Sequence, residues 1–407
     1  MNTVQSGQQG FFSRREFVAA AGAAGLAAAA APVFAQQTQA VGPKIRLGLV
    51  GCGGRGQWIA DLFQKHGGYE LFAVADYFQD RADEAGNKLG VPAARRFTGL
   101  SGYKRLLDAK PDAVAVIAAP FFRPEHAAAV VEAGCHAYLA KPIAVDVPGC
   151  LSIEASAKRA TEKKLCFLVD FQTRMQPFYQ EAVRRVHEGA IGDLVFGEAS
   201  YHCGRLGIQT PPGSPEARLR NWVFDRALSG DIITEQNIHA LDVMNWVLQK
   251  PPLHAFGTGG RKVRLDVGDC WDYFTLHIQY PNSVGVTFSS RQFEGYGTAE
   301  GILCRMFGTK GVLETSYGGN VLIRGDAFYR GGNTSQIYQE GAVGNIAAFH
   351  KAISEKDVSN PTVAPSVQSN LITIMGRKAA YTGKLVTWEE TLKDTERLDG
   401  KLEGLKA

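Results

Sequence analysis

Three groups of residues in this chain have types and spacings that can do chemistry. The first is Gly51-Cys52-Gly53-Gly54-Arg55-Gly56, a GxGxxG pattern that directly follows the apolar run Lys44–Val50 and opens a helical stretch. Glycine at the first position permits a tight turn, and glycine at the second lets the backbone approach a pyrophosphate. The helix N-terminus behind them offers unpaired N–H groups to phosphates. Asp76 lies twenty residues past Gly56, at the end of the next apolar run. A carboxylate placed there accepts hydrogen bonds from both ribose hydroxyls and repels a 2′-phosphate, which favours NAD over NADP. Arg81 is the one residue that points the other way, because it has the length to meet a 2′-phosphate, so NADP remains a possible cofactor.

The second group is Ala140-Lys141-Pro142, immediately after an apolar strand. Ligands of open α/β sheets bind beyond the carboxyl ends of the strands, so Lys141 is placed to meet a substrate hydroxyl beside a nicotinamide ring. The third is ITEQNIHALDVMNW, Ile233 to Trp246, in which Glu235, His239 and Asp242 stand at i, i+4 and i+7. On a continuous helix these share one face, and such a face can carry a proton relay, with imidazole as base and carboxylate as orienter. A core histidine would satisfy the same pattern. A metal site would need further ligands, of which His202 is the obvious candidate, and the chain is read as holding no metal.

The elements that must position these groups alternate in the N-terminal part. Strands are expected at Lys44–Val50, Tyr69–Asp76, Asp112–Pro120, His136–Ala144 and Lys164–Phe171, with helices between them. That rhythm predicts a doubly wound parallel sheet, a Rossmann domain over residues 44–170. From residue 171 to 407 the pattern changes. A helix at Pro177–Glu188 and a strand at Leu194–Cys203 precede a helix at Thr234–Leu248, and several alternating strands follow. Phe274–Ile278 and Val284–Phe288 flank Pro281-Asn282-Ser283 as a hairpin. An α/β domain with a large, mostly antiparallel open sheet is expected, closed by helices at about 343–383.

Bulk properties limit the function. The chain has 407 residues and a net charge of +4, with no dense Lys/Arg block carrying interleaved aromatics, which argues against a nucleic-acid partner. Its 7 cysteines form no CxxC pair and are odd in number, which argues against a disulfide framework or zinc knuckle. They read as mostly small buried side chains. Residues 1–35 read as a twin-arginine signal peptide: Arg14 and Arg15 precede the Ala-rich run Val18–Ala31 and the small-residue site Val33-Phe34-Ala35. The run is too short and too weakly apolar for a stable span. Residues 36–43 are then a linker, and the mature protein is expected in the periplasm or outside the cell.

With these residues in view, the chain resembles the glucose–fructose oxidoreductase, inositol dehydrogenase and MocA-like family over about Ile45 to Leu398. The likeness rests on GCGGRG, AVAD ending at Asp76, the turn ending at Pro120, EAGCHAYLAKP (Glu132–Pro142), EGAIGDL (Glu188–Leu194) and the Glu235/His239/Asp242 segment. It implies an N-terminal Rossmann domain and a C-terminal open sheet used for homo-oligomerisation. It further implies cofactor contacts from Gly51 through Gly56, including Cys52, Gly54 and Arg55, and from Asp76, Arg81, Pro120 and Lys141. Lys141 and His239, with Glu235, would be catalytic: His239 as base, Lys141 on the reacting oxygen. The family's usual Glu-Lys-Pro is Ala140-Lys141-Pro142 here, and Glu235 stands where Asp is usual. The loop from Pro120 to His126 is two residues longer than the usual spacing. Arg174, His202, Arg218, Arg220, Trp222 and Asp242 are candidate substrate contacts, arginines for hydroxyl or carboxylate groups and Trp222 for stacking on a sugar.

The expected activity is hydride transfer between a sugar, polyol or glycoside carbon and a tightly held nicotinamide cofactor. An exported protein meets little free NAD, so a resident cofactor and a redox-neutral cycle follow. Two other readings stay open. One is an NAD-assisted glycosidase or lyase, although the Tyr-Pro-Thr-His stretch of the glycosidase branch does not occur here. The other is a non-catalytic sugar-binding protein that keeps the scaffold.

Overall fold

A computed structural model of the protein describes residues 43–407. The signal-peptide expectation falls on residues outside that range. The first sheet contains β1 (Ile45–Val50), β2 (Tyr69–Asp76), β3 (Arg96–Thr98), β4 (Ala113–Val116), β5 (His136–Ala140) and β6 (Phe167–Asp170), in the order β3-β2-β1-β4-β5-β6. Every pairing in it is parallel. The continuous apolar strands follow from burial on both faces, as in β4, where all four residues are buried. The helix Gly54–His66 turns Ile59, Ala60, Leu62 and Phe63 inward and stops at Gly67, which adopts φ 82°. Strand order reverses between β1 and β4, and that reversal opens a crevice at their carboxyl ends.

The second sheet is built from β7 (Leu194–Cys203), β8 (His254–Gly260), β9 (Tyr273–Gln279), β10 (Gly285–Gln292), β11 (Gly301–Gly308), β12 (Gly311–Ser316), β13 (Asn320–Gly325), β14 (Tyr329–Asn333) and β15 (Val386–Thr387). Their order is β14-β13-β12-β11-β7-β10-β9-β8-β15. Only the β7–β10 pair is parallel; the others are antiparallel. Alternation along β9 and β10 buries Phe274, Leu276, Ile278, Val286 and Phe288 beneath helices and leaves the other face open. The expected hairpin forms, with Asn282 and Ser283 both at positive φ.

Several elements differ from expectation. The helix expected over Thr234–Leu248 is two helices, Asp231–Glu235 and Ile238–Leu248. The amides of both Gln236 and Asn237 donate to the Ile232 carbonyl, which ends the first helix. The closing helices are longer, Ile337–Glu355 and Val363–Thr382. The second packs Val363, Val367, Leu371 and Ile374 into the core of the first sheet and Ile372, Met375 and Ala379 into that of the second. Gly376 lets it lie against Leu276, whose Cδ1 would be 2.7 Å from an added Cβ. Among the described residues no helix is long and apolar enough to cross a membrane.

Candidate active site

The crevice between β1 and β4 widens into a cleft of about 520 Å³ lined by the glycine turn, Asp76, Ala118, His126, Glu235 and part of the segment 206–223. Gly51 has φ 95°, and a Cβ there would lie 2.5 Å from the Ala118 nitrogen. A Cβ on Gly56 would lie 1.9 Å from the Gly51 carbonyl oxygen. Gly53 would meet only the Arg81 guanidinium, at 3.0 Å, and Gly54 nothing at all, so the outer side of the turn is open to the cleft. The helix behind begins with no side-chain cap at Gly53, leaving its first N–H groups for an anion. This cradle fits the pyrophosphate of a dinucleotide.

Asp76 is placed at the mouth of the turn and also fastens it. One carboxylate oxygen accepts from the Cys52 amide at 2.7 Å and the other from the Phe78 amide at 2.9 Å. Burial pushes its pKa up, while those two amides pull it down. Each oxygen keeps acceptor capacity for a ribose hydroxyl. Pro120, itself buried, opens a 3-10 turn, Pro120–Phe122, and Ala118, Ala119 and Phe122 of the same loop line the cleft. Arg55 lines the cleft and donates to the fully buried Asp170, at the end of β6, at 2.7 Å and to the Tyr338 hydroxyl at 3.1 Å.

At the far end of the cleft Lys141 and Glu235 meet. The Lys141 ammonium donates to the Glu235 carbonyl at 2.6 Å and lies 3.5 Å from its carboxylate; the two side chains are 10% and 16% exposed. Burial lowers the Lys141 pKa, Glu235 opposes that shift, and the Arg55 and Arg123 charges reinforce it. His239 lies nearby, its ring 5.7 Å from Tyr317 and 6.5 Å from Phe171. Burial, then the charges of Lys141 and Arg55, hold its pKa well below the usual imidazole range, so the ring is neutral. Its Nδ1 is buried and has no hydrogen-bond partner.

The expected relay through Asp242 is not built. Asp242 is fully buried and accepts two arms of Arg174 at 2.8 to 3.2 Å and the Ser369 hydroxyl at 2.6 Å. The break at Gln236 separates Glu235 from the face that carries Asp242, so of the three only Glu235 bonds Lys141, while His239 feels the Lys141 charge. Arg174 is committed to Asp242 and lies over Trp246 at 5.2 Å, and neither group lines the cleft. A fully desolvated carboxylate requires such a partner.

His202 is also displaced from its expected role. It points from β7 to the open face of the second sheet, where its Nε2 is 3.1 Å from Ser289 Oγ and it lines a separate groove of about 780 Å³. Strand alternation decides this, because the neighbouring Tyr201 takes the inner face. Arg220 and Trp222 do line the cofactor cleft, beside Asp76 and Phe78. Arg220 donates to Asp80 rather than reaching Lys141, and Arg218 is paired with Asp225.

Sequence reasoning missed Arg123. It is buried, donates to the Ala118, Ala140 and Pro142 carbonyls, and so ties the loop after β4 to the Lys141 loop. A single arginine ahead of a proline gives no signal of that. His126, packed 4.3 Å from Tyr103, lines the cleft; burial and then Arg123 push its pKa down to about 3. All seven cysteines are free, and six are buried.

Known proteins share this fold. Residues 45–171 match the model of the oxidoreductase family with an NAD-binding Rossmann fold, and residues 179–314 match the GFO/IDH/MocA C-terminal domain. The chain is 29% identical over 165 residues to glycosyl hydrolase family 109 protein 1 of Akkermansia muciniphila, covering 39% of this chain and 33% of that one. It is 31% identical over 205 residues to inositol 2-dehydrogenase 3 of Saccharopolyspora erythraea, covering 50% of this chain and 54% of that one. The matches thus span a third and about half of those relatives. Among solved structures, an oxidoreductase domain protein from Kribbella flavida superposes with a TM-score of 0.71 at 17% identity, over 85% of this chain and 99% of that one. A levoglucosan dehydrogenase in complex with NADH and levoglucosan superposes with a TM-score of 0.68 at 18% identity, over 84% and 99%.

Proposed function

We propose, from the premise that this chain belongs to the GFO/IDH/MocA family of NAD-binding oxidoreductases, that it moves hydride between a hydroxyl-bearing carbon of a sugar, polyol or glycoside and NAD. The observation that carries the reading is the bond between Lys141 and Glu235, a residue lining the cleft that holds the glycine turn, with His239 near enough for the Lys141 charge to add to burial in lowering its pKa. Bound NAD supplies a hydride acceptor at its nicotinamide ring. The protein supplies the proton chemistry. A neutral, desolvated His239 takes the proton of the hydroxyl being oxidised. Lys141 uses the proton not committed to Glu235 to hold the oxygen on which negative charge grows. Glu235, through its carbonyl and carboxylate together, fixes where that ammonium points. Inositol dehydrogenases and a levoglucosan dehydrogenase among the similar proteins favour a cyclic polyol or sugar as substrate.

The test is a panel of polyols, sugars and glycosides given to the purified protein, with NADH absorbance and product followed together. Oxidation coupled to reduction of the cofactor supports the reading. No turnover of any of them, with NAD bound, would sink it. The glycosyl hydrolase family 109 relatives favour a second reading, in which transient oxidation permits glycosidic cleavage. It differs in releasing a free sugar with no net NADH.

Export through the twin-arginine route, which carries folded proteins, fits a cofactor taken on before export and kept afterwards. The open face of the second sheet supports a homo-oligomer. Phe196 stacks on Phe307 there at 4.4 Å while 40% exposed, and Phe256 is 49% exposed beside the 780 Å³ groove.

A further inference from the structure

The cleft has two ends, and two of the residues expected to touch substrate, Arg220 and Trp222, lie beside Asp76 rather than beside Lys141. The segment 206–223 comes from outside the Rossmann sheet, yet Leu206, Gln209, Leu219 and Trp222 line the same cleft as the glycine turn. It is anchored there by a contact across the mouth. Arg220 Nη2 donates to both Asp80 oxygens at 2.8 Å, and its guanidinium lies 3.9 Å over the Phe78 ring. Phe78 and Asp80 follow Asp76 directly, so the clamp closes where the adenosine half of a dinucleotide would emerge.

The segment does not stand alone. Asn221 ties it into a loop by accepting the Gln209 amide at 2.8 Å and donating to the Thr210 carbonyl at 2.7 Å. Arg218 reaches the Gly400 and Lys401 carbonyls, the latter at 3.0 Å. Beyond them the chain runs back to the same mouth. The Lys406 carbonyl accepts the Leu100 amide at 3.0 Å, and the Lys406 amide donates to the Tyr77 hydroxyl at 3.1 Å. Leu100 and Tyr77 also line the cleft.

We infer that the segment 206–223, latched by Arg220 to Asp80 and braced by residues 398–407, is a clasp that retains the adenosine half of the bound dinucleotide. This rests on the cofactor reading above. The clasp accounts for retention with residues outside the Rossmann domain, so release of NAD requires the segment to lift rather than the two sheets to separate. The latch is exposed, with Arg220 and Asp80 side chains 27% and 64% accessible, so salt weakens it.

The test loads the full chain with NADH and chases it with excess NAD, reading the loss of NADH fluorescence by stopped flow. Arg220→Ala, Asp80→Asn and a chain ending at residue 398 should each release NADH about three- to tenfold faster than the parent. Melting without cofactor controls for folding, and the charge-swapped pair Asp80→Arg with Arg220→Asp should recover part of the slow release. If the parent binds NADH and all variants release it at the parent rate, the clasp is wrong while the cofactor reading stands. If the parent binds no NADH at all, the cofactor reading fails and the clasp fails with it.

Discussion

Two ion pairs stand at opposite ends of one cleft, and beyond pairing a cation with a carboxylate they differ in nearly everything. Lys141 and Glu235 are 10% and 16% exposed, with the carboxylate 3.5 Å away and the ammonium bonded mainly to a carbonyl. Arg220 and Asp80 are more exposed, and their bond is short and two-pronged. The inner pair lies in a low-dielectric setting, where burial first and then the Lys141 and Arg55 charges lower the pKa of His239. The outer pair is screened and acts only by contact. Chemistry needs the first kind of environment and a reversible closure needs the second.

The largest effect that would break this contrast is at the inner end. His239→Ala should lower kcat about a thousandfold, and Lys141→Ala about a hundredfold or more, with the Kd for NAD nearly unchanged. Comparable losses in NAD affinity would mean that the inner pair holds cofactor rather than directing protons. Asp242→Asn comes next. Breaking the buried Arg174 pair should cost about 3 kcal/mol in stability by denaturant unfolding. The shape of the pH–rate profile should stay as in the parent, whereas a relay through Asp242 would shift it.

The pH dependence sharpens the comparison further. His239 and His126 have folded-state pKa values held below the unfolded value, so below about pH 6.5 the unfolded chain binds protons that the native one does not. Their contribution is fully present above that pH and is lost as pH falls, so Tm should decline from pH 7 toward about pH 5. His126→Phe should flatten part of that decline. Turnover at saturating substrate should hold below pH 6.5, because His239 stays unprotonated. The smallest effect belongs to the outer pair: added salt should speed NAD release severalfold and leave kcat where it was.

Much of the first sheet was legible because its signals are local. The glycine turn, Asp76 and the fully buried strands each follow from residues within one element and its neighbour. Lys141 was legible because strand ends in such sheets face the crevice. The rest depended on contacts far apart in sequence. Whether Asp242 orients His239 turns on Arg174 and Ser369, which pre-empt it, and on a helix break made by two amides sharing the Ile232 carbonyl. The side to which His202 points depends on the register of β7 within its sheet, since a shift of one residue exchanges the two faces. Arg220 carries no hint that its partner is Asp80, 140 residues earlier.

The helix Val363–Thr382 roots its apolar side chains in both cores at once. It acts as a tie beam between two walls: swinging one sheet away from the other would mean tearing Leu371 or Met375 out of its seat. The molecule therefore has no cheap hinge along its long seam. Traffic into and out of the interior must pass through doors at the ends, each small enough to open without disturbing the frame.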